Sequence, residues 1–247
     1  AAAFQNYRIP SRVTRTVGTA TIVPFPNGFD PKERLEEDDY SFGGGFKGEA
    51  GGWNWDVSST YGHVRDQIFT INSANASLFA DTGLTPRNFY DGAFRSTEWT
   101  NNVDLAKDFE MGMASPLTVA MGAEYRRNKY SISVGDPFSI YKEGGQAYPG
   151  FQPTDAGTNK RTNYGAYLNL AAEVTTGLKV DAAARYEHYS DFGSTVVGKL
   201  TTRYDFNPMF ALRGTVATGF RAPSLPEQYY SATNVARNRT ASRARVG

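Results

Sequence analysis

The stretch Phe210-Ala211-Leu212-Arg213-Gly214-Thr215-Val216-Ala217-Thr218-Gly219-Phe220-Arg221-Ala222-Pro223-Ser224-Leu225-Pro226-Glu227 decides the fold. From Met209 to Phe220 it puts Phe210, Leu212, Val216 and Phe220 on one face and Ala211, Arg213, Thr215 and Ala217 on the other. A period of two is the signature of a β-strand. Pro223 and Pro226 cannot donate to a ladder, so the strand is expected to stop at about Arg221 and become a loop.

The same alternation recurs upstream. Tyr40, Phe42, Gly44 and Phe46 alternate with Ser41, Gly43, Gly45 and Lys47, and after Ala50-Gly51-Gly52 the pattern resumes with Trp53, Trp55, Val57, Ser59 and Tyr61. Two such runs joined by glycines predict a hairpin. Strand patterning returns at Trp99, Val103 and Leu105, breaks at Met111 to Pro116, and restarts at Leu117, Val119, Met121, Ala123 and Tyr125. The clearest hairpin sets Tyr164, Ala166, Leu168, Leu170, Ala172 and Val174 on one face, then Leu178, Val180, Ala182, Ala184 and Tyr186 after Thr175-Thr176-Gly177. A three-residue loop ending in a left-handed glycine pairs Val174 with Leu178, Glu173 with Lys179 and Tyr167 with Arg185. A further strand carries Val196, Leu200 and Tyr204, and Phe206-Asn207-Pro208 turns it into the strand quoted first.

Long and short connections alternate. Those near residues 51, 113, 176 and 207 are short, whereas 66–92 and 134–161 are long and aperiodic, beyond what a compact domain carries without a role. Residues 1–39, rich in Pro, Arg and Thr with a weak strand pattern from Val13 to Val23, read as a loop or edge segment. Short turns at one end and long loops at the other describe an outer-membrane β-barrel, with the long loops outside the cell. No stretch reaches the 18 or so apolar residues of a membrane helix. The negative mean hydropathy does not count against a barrel, whose strands alternate lipid-facing apolar and lumen-facing polar residues.

Composition excludes other classes. There is no cysteine and there are two histidines, which argues against zinc and disulfide chemistry. A net charge of +1 gives no reason to expect nucleic acid as a partner. His63 and His188 fall on the apolar phase, where an interfacial side chain is expected rather than a catalytic base, and no catalytic set, metal site or cofactor site stands out. Aromatic residues at both ends of the strand from Trp53 to Tyr61 match interfacial girdles. The opposite face carries Glu124, Arg126, Glu173, Lys179, Asp181, Arg185, Glu187, Lys199, Arg203 and Arg213. In a barrel these point into the lumen. The competing readings are a sandwich core for the first face and a solvated sheet face for the second.

The segment Gly219, Phe220, Arg221, Ala222, Pro223, Ser224, Leu225 closely resembles the signature of the TonB-dependent outer-membrane receptors. Met121-Gly122-Ala123-Glu124-Tyr125-Arg126, Tyr164 to Asn169 and Ala184 to Ser194 resemble the barrel of the same family, in order, within a resemblance that runs from about Asp38 to Asn234. It implies eight or nine strands of a larger, 22-stranded antiparallel transmembrane barrel, occupying residues 40–234. The family's plug with its TonB-binding box and its closing aromatic strand are not recognisable. The N-terminal residues lack signal-peptide regions, and the tail 235–247, with Arg237, Arg239, Arg243 and Arg245, fits neither strand nor loop. The chain is therefore expected to be the middle of a receptor.

The resemblance further implies a non-enzymatic role in the outer membrane of a Gram-negative bacterium: uptake of a ferric siderophore, vitamin B12 or an oligosaccharide. The implied partners are outer-membrane lipid, the nutrient and, through the plug, the TonB–ExbB–ExbD complex. Loop residues Tyr141, Tyr148, Phe151, Tyr229 and Tyr230 become candidate contacts to substrate, because aromatic rings bind flat surfaces; packing among the loops is the alternative. Arg221, in lumen phase, is a candidate for holding the loop or plug by charge-assisted hydrogen bonds. Two other architectures stay open, a complete barrel of 8 to 10 strands acting as a pore or structural protein, and a soluble β-sandwich binding module such as a lectin.

Overall fold

The structure, a computed structural model, describes residues 13–233. The Arg-rich tail 235–247 lies outside the described residues. A small hairpin, β1 (Arg15–Val17) and β2 (Ala20–Ile22), precedes eight strands: β3 (Lys32–Ala50), β4 (Trp53–Ile71), β5 (Phe89–Phe109), β6 (Leu117–Ser133), β7 (Gly157–Thr175), β8 (Leu178–Tyr189), β9 (Gly193–Asn207) and β10 (Phe210–Ala217). Short helices α1 (Ala76–Thr82) and α2 (Leu225–Tyr229) lie in the β4–β5 connection and after β10. The eight strands form one antiparallel meander in sequence order.

Both long loops, at 72–88 and 134–156, lie at one end of the sheet together with the tight β8–β9 turn at 190–192, and the other strand connections, all short, lie at the opposite end. Gly51 and Gly52 have φ of 60° and 75°, the paired left-handed residues that a two-residue hairpin turn requires. Gly177 has φ 94°, and the strands it joins pair Glu173 with Lys179 and Tyr167 with Arg185 as expected. Val174 differs. Leu178 pairs with Thr175 instead, so Val174 is the extra residue of a β-bulge.

Four strand limits also differ from expectation. β3 begins at Lys32, eight residues before the apolar alternation starts at Tyr40. Its first part, Lys-Glu-Arg-Leu-Glu-Glu-Asp-Asp, pairs in register with Ile71 back to Val64, but a strand with water on both faces has no reason to alternate. For the same reason β4 and β5 run farther toward the loops than their apolar patterns do. β10 ends at Ala217, short of Arg221, with Thr218 N–H donating to Gly198 O at 2.9 Å as the last bond to the sheet.

Among the described residues, buried cores occupy only the loop end. Val13, Phe29, Ala74, Ala76 and Phe79 pack the β1–β2 segment against the 72–88 loop, and Tyr130, Ile132, Phe151 and Leu225 pack the second long loop and α2 against the upper sheet. Below them the sheet has no second layer: Phe42, Phe46, Val57, Val103, Leu168, Val196, Leu200, Leu212 and Val216 share one face and are all exposed. That single-layered sheet removes the β-sandwich reading. Its two outer strands, β3 and β10, each have one neighbour among the described residues, so the small closed barrel is not what this sheet forms.

Candidate functional site

The apolar face is bounded by aromatic rows at both ends. Toward the loops, Tyr40 stacks on His63 at 4.9 Å, Trp99 meets Tyr125 at 5.9 Å and Tyr125 meets Tyr164 at 5.3 Å. Toward the turns, Trp53 packs on Phe109 at 5.8 Å, and Phe206 contacts Tyr204 and Phe210 at 4.6 and 5.2 Å. The strand from Trp53 to His63, at ~3.4 Å per residue and a ~40° tilt, rises about 25 Å, the height of the apolar band of an outer-membrane barrel. His188 sits in this belt as well, its Nδ1 sharing a 2.9 Å hydrogen bond with Ser194 Oγ.

The opposite face carries a ladder of paired charges. Glu124 meets Arg126 at 2.9 Å and Arg185 at 3.5 Å, Arg185 also meets Glu187 at 2.7 Å, and farther down Lys199–Asp181 and Arg203–Asp205 lie at 3.3 and 2.7 Å. Tyr167 donates to Asp104 at 2.6 Å across two strands. Gly122 makes that bond possible: a Cβ there would stand 2.5 Å from both Asp104 Oδ1 and the Tyr167 ring. These half-exposed pairs neutralise one another while leaving the face wet.

On this polar face lies the segment that follows β10. Instead of leaving the sheet, the chain from Gly219 to Tyr230 doubles back as a strap over β6 and β7, seating α2 against them. Ser224 is the N-cap of α2; its side chain accepts from Glu227 N–H while the Glu227 carboxylate accepts from Ser224 N–H at 2.6 Å, a capping box with Pro226 in the first turn. Leu225 points down into the core formed by Tyr130, Ile132 and Phe151. Phe220 packs on Phe192 and Tyr189 at 5.8 and 6.1 Å, and those two rings stack at 4.4 Å.

The strap is held by Arg161. Only 5% exposed, its guanidinium donates from Nε to both oxygens of the Asp191 carboxylate at 3.0 and 2.8 Å, with Nη2 in ion-pair contact at 2.8 Å. Nη1 donates to Pro223 O at 2.6 Å and Nη2 to Gln228 Oε1 at 3.0 Å. The planar fork is thereby divided between a carboxylate on the β8–β9 turn and two acceptors on the strap, a geometry an ammonium cannot reproduce. The guanidinium also lies 5.0 Å from the Phe192 ring centroid. Arg221, a candidate for holding the loop or plug, is 83% exposed at its side chain and, among the described residues, pairs only with Glu227 at 3.3 Å. The signal for Arg161 was present in the sequence: it extends the lumen-phase series Tyr167, Gly165, Asn163 upward by the same parity.

A second tie closes the far end of the strap. The buried Asp155 carboxylate accepts from Ser231 Oγ at 2.8 Å, Thr233 N–H at 2.9 Å, Thr233 Oγ1 at 2.7 Å and Gln152 N–H at 3.1 Å. Burial acts to raise its pKa, but these four donors outweigh burial and hold it below the usual carboxylate value. Between strap and wall is a cavity of about 620 Å³, lined among others by Arg126, Asn128, Asn163, Glu187, Tyr189 and Arg221.

Of the loop aromatics, three come together. Phe151, Tyr148 and Tyr230 gather around Phe94, with Phe94–Phe151 at 5.0 Å, Tyr148–Phe151 at 6.0 Å and Phe94–Tyr230 at 5.9 Å. Phe151 is fully buried, whereas Tyr230 remains exposed. Burial, first, and the neighbouring Tyr230 hydroxyl hold the Tyr148 phenol well above its ordinary pKa. Tyr141 lies apart, donating to Asp81 at 2.8 Å beside Lys142, and Tyr229 sits exposed on α2. Phe94 and Tyr130, which complete the cluster, were not singled out in the sequence because they lie in strand runs.

The family model for the TonB dependent receptor-like β-barrel matches residues 2–243. Among solved structures, the crystal structure of the siderophore receptor PirA from Acinetobacter baumannii superposes with a TM-score of 0.53 at 17% identity, over 77% of this chain and 26% of that one. The chain thus spans about a quarter of the length of that structure, and the likeness is one of fold. No curated protein sequence matches.

Proposed function

From the premise that this chain belongs to the TonB-dependent receptor-like β-barrel family, we propose that it forms part of the wall of an outer-membrane receptor for energised uptake of a scarce nutrient. The observation that carries the proposal is the register. It gives one sheet an aromatic-bounded apolar outer face and an inner face of paired charges with a strap latched onto it. An inner face of this kind suits a water-filled lumen occupied by a polar plug. The outer face needs lipid.

In this reading the long loops meet substrate first. Exposed Tyr229 and Tyr230, on the strap beside the 134–156 loop, offer flat surfaces, while Tyr148 and Phe151 position that loop from beneath. Tyr141 braces the two long loops against each other. Coupling to TonB–ExbB–ExbD runs through the plug. Of the nutrient classes, ferric siderophores are favoured, since the structural neighbour is named a siderophore receptor. Uptake of radiolabelled ferric siderophores, cobalamin and maltodextrins by cells carrying the encoding gene, with and without a protonophore, tests the proposal. Protonophore-sensitive accumulation of one class, lost on gene deletion, is the expected result; protonophore-insensitive, unselective entry would instead show a pore.

A further inference from the structure

The upper sheet meets the 134–156 loop through a buried carboxyl group, that of Asp91. β4 and β5 slip out of register between Ile68 and Phe69, which leaves Asp91 as the extra residue of a β-bulge between Tyr90 and Gly92. The bulge frees Asp91 to engage the loop twice. Asp91 O accepts from Phe151 N–H at 2.8 Å, and Asp91 Oδ2 lies 2.6 Å from Thr70 Oγ1, which is itself 3.2 Å from Tyr148 O. Thr70 and Asp91 are both fully buried. One carboxyl, one hydroxyl and one peptide carbonyl thus join β5, β4 and the loop in a row.

The protons along that row decide its state, because a threonine hydroxyl has only one to give. With Asp91 ionised, Thr70 donates either to Asp91 Oδ2 or to Tyr148 O, and the other contact is left with facing lone pairs. With a proton on Oδ2, Asp91 donates to Thr70, Thr70 donates to Tyr148 O, and both contacts are hydrogen bonds. Asp91 Oδ1 points the same way: it is buried without a hydrogen-bond partner, which costs more for a carboxylate than for a neutral carboxyl. Among the described residues Asp91 forms no ion pair. The titratable groups facing it are Glu33 of β3, opposite Thr70, and Asp136 and Tyr148 of the loop, with Tyr230 of the strap beyond Tyr148. The Asp136 carboxylate already accepts from the N–H groups of Tyr90, Phe138 and Ser139. Lys32 and Arg34, on either side of Glu33, take the opposite parity, and Arg34 lies over the Phe69 ring at 4.9 Å. Asp91 stands outside the aromatic-bounded band, loopward of Trp99 on β5. Burial pushes its pKa up to about 7, over the opposing hydrogen bonds from Thr70 and with the help of the Asp136 and Glu33 charges.

We propose that Asp91 is a proton-operated latch for the 134–156 loop: protonated, it completes the row from Asp91 through Thr70 to Tyr148 and holds the loop on the sheet, and ionised, it releases the Tyr148 end. Tyr148 and Phe151 share one aromatic cluster with Phe94 and Tyr230, so the end of the strap loosens with the loop. The inference goes beyond the uptake reading and needs only the loop core. A carboxyl whose pKa rises from about 4 in the open loop to about 7 in the closed one gives protection that is full below about pH 4, falls as pH rises between the two values, and levels off above about pH 7. The Asp155 tie weakens in the opposite direction, as pH falls below about 4, so the two windows do not overlap.

The test is hydrogen exchange of the full chain in neutral maltoside micelles from about pH 5 to about pH 9, with each rate divided by the intrinsic rate of the same peptide at that pH. Protection of amides in 134–156 should fall at least ~tenfold between about pH 5 and about pH 7.5 and then stay level, while the β7–β8 hairpin keeps its protection. Asp91→Asn, whose amide still donates to Thr70, should stay protected across the range. Thr70→Val can neither accept from Asp91 nor donate to Tyr148 O, and at about pH 5 it should lose at least ~tenfold of the loop's protection. Loop protection in the parent that does not change with pH would overturn the latch, as would an Asp91→Asn loop that follows the parent's profile. An Asp91→Asn loop open at every pH would also overturn it, by showing that the carboxylate does the holding. Infrared difference spectra of the parent give a second readout that needs no variant: a protonated carboxyl should lose its proton with a midpoint near pH 7. Carboxyls that all titrate below about pH 5 would overturn the proposal. Neither measurement involves nutrient or uptake, so failure here leaves the receptor reading untouched.

Discussion

The loop end and the turn end of this sheet are built by different physics. Toward the loops, Leu225, Phe151, Tyr130 and Ile132 form a dry core, and Arg161 is a buried cation with every neighbour in place. Toward the turns, charged pairs lie half-exposed on one face and Leu168, Leu200 and Val216 stand exposed on the other. The first region is complete in itself. The second, in the proposed reading, is completed by lipid outside and a polar filling inside, so substitutions should act strongly in one and weakly in the other.

The largest effect is expected at Arg161. Arg161→Ala removes the buried guanidinium that ties Asp191 to Pro223 O and Gln228, at about 1.5–3 kcal/mol for each hydrogen bond made by the charged group. Hydrogen exchange should accelerate across 219–230 while the β7–β8 hairpin below stays protected; uniform acceleration would show that the two regions are not separable. Arg161→Lys should recover only part of the loss, since a point charge cannot span carboxylate and strap together. Leu225→Ala comes next, at about 2–4 kcal/mol for a buried leucine, read as earlier proteolysis within the strap. Ser224→Ala removes the cap and should cost about 1 kcal/mol by the same assay. At the turn end, Arg203→Gln should leave the unfolding midpoint unchanged within error, as exposed pairs contribute little.

The tie at Asp155 sharpens the contrast through pH. Its pKa is depressed in the folded state, so the stability it lends is present above the ordinary carboxylate value, about 4, and is lost as pH falls through the lower folded value. Strap proteolysis by an acid-active protease should therefore increase as pH is lowered from about 5 to about 2.5. Asp155→Asn should be cleaved readily throughout and show little of that dependence.

How far the sequence could be read tracks the same division. Within the band between the aromatic rows one face is apolar and the other charged, which imposes strict alternation, and the β7–β8 register, including Tyr167 opposite Arg185, was legible from it. Beyond the band both faces meet water or loop, alternation fades, and the first eight residues of β3 read as loop. The motif Gly219 to Leu225 marked a strand exit, which comes at Ala217 rather than Arg221, but patterning says nothing about where a chain goes after it leaves a sheet. The return of the strap onto β6 and β7, and with it the role of Arg161 in place of Arg221, depends on contacts more than fifty residues apart in sequence. Val174 illustrates a smaller gap, because a bulge shifts one residue without changing the hydrophobic pattern around it.

The central claim is that one sheet separates lipid from lumen residue by residue. The chain has no native cysteine, so single spin labels can be placed at Leu168, Asn169, Leu170, Val196, Lys199 and Leu200 and their collision rates with oxygen and with a water-soluble nickel complex measured in bilayers. Labels at 168, 170, 196 and 200 should favour oxygen and those at 169 and 199 should favour nickel, a strict period of two across neighbouring strands. Equal nickel access at all six positions would contradict the account.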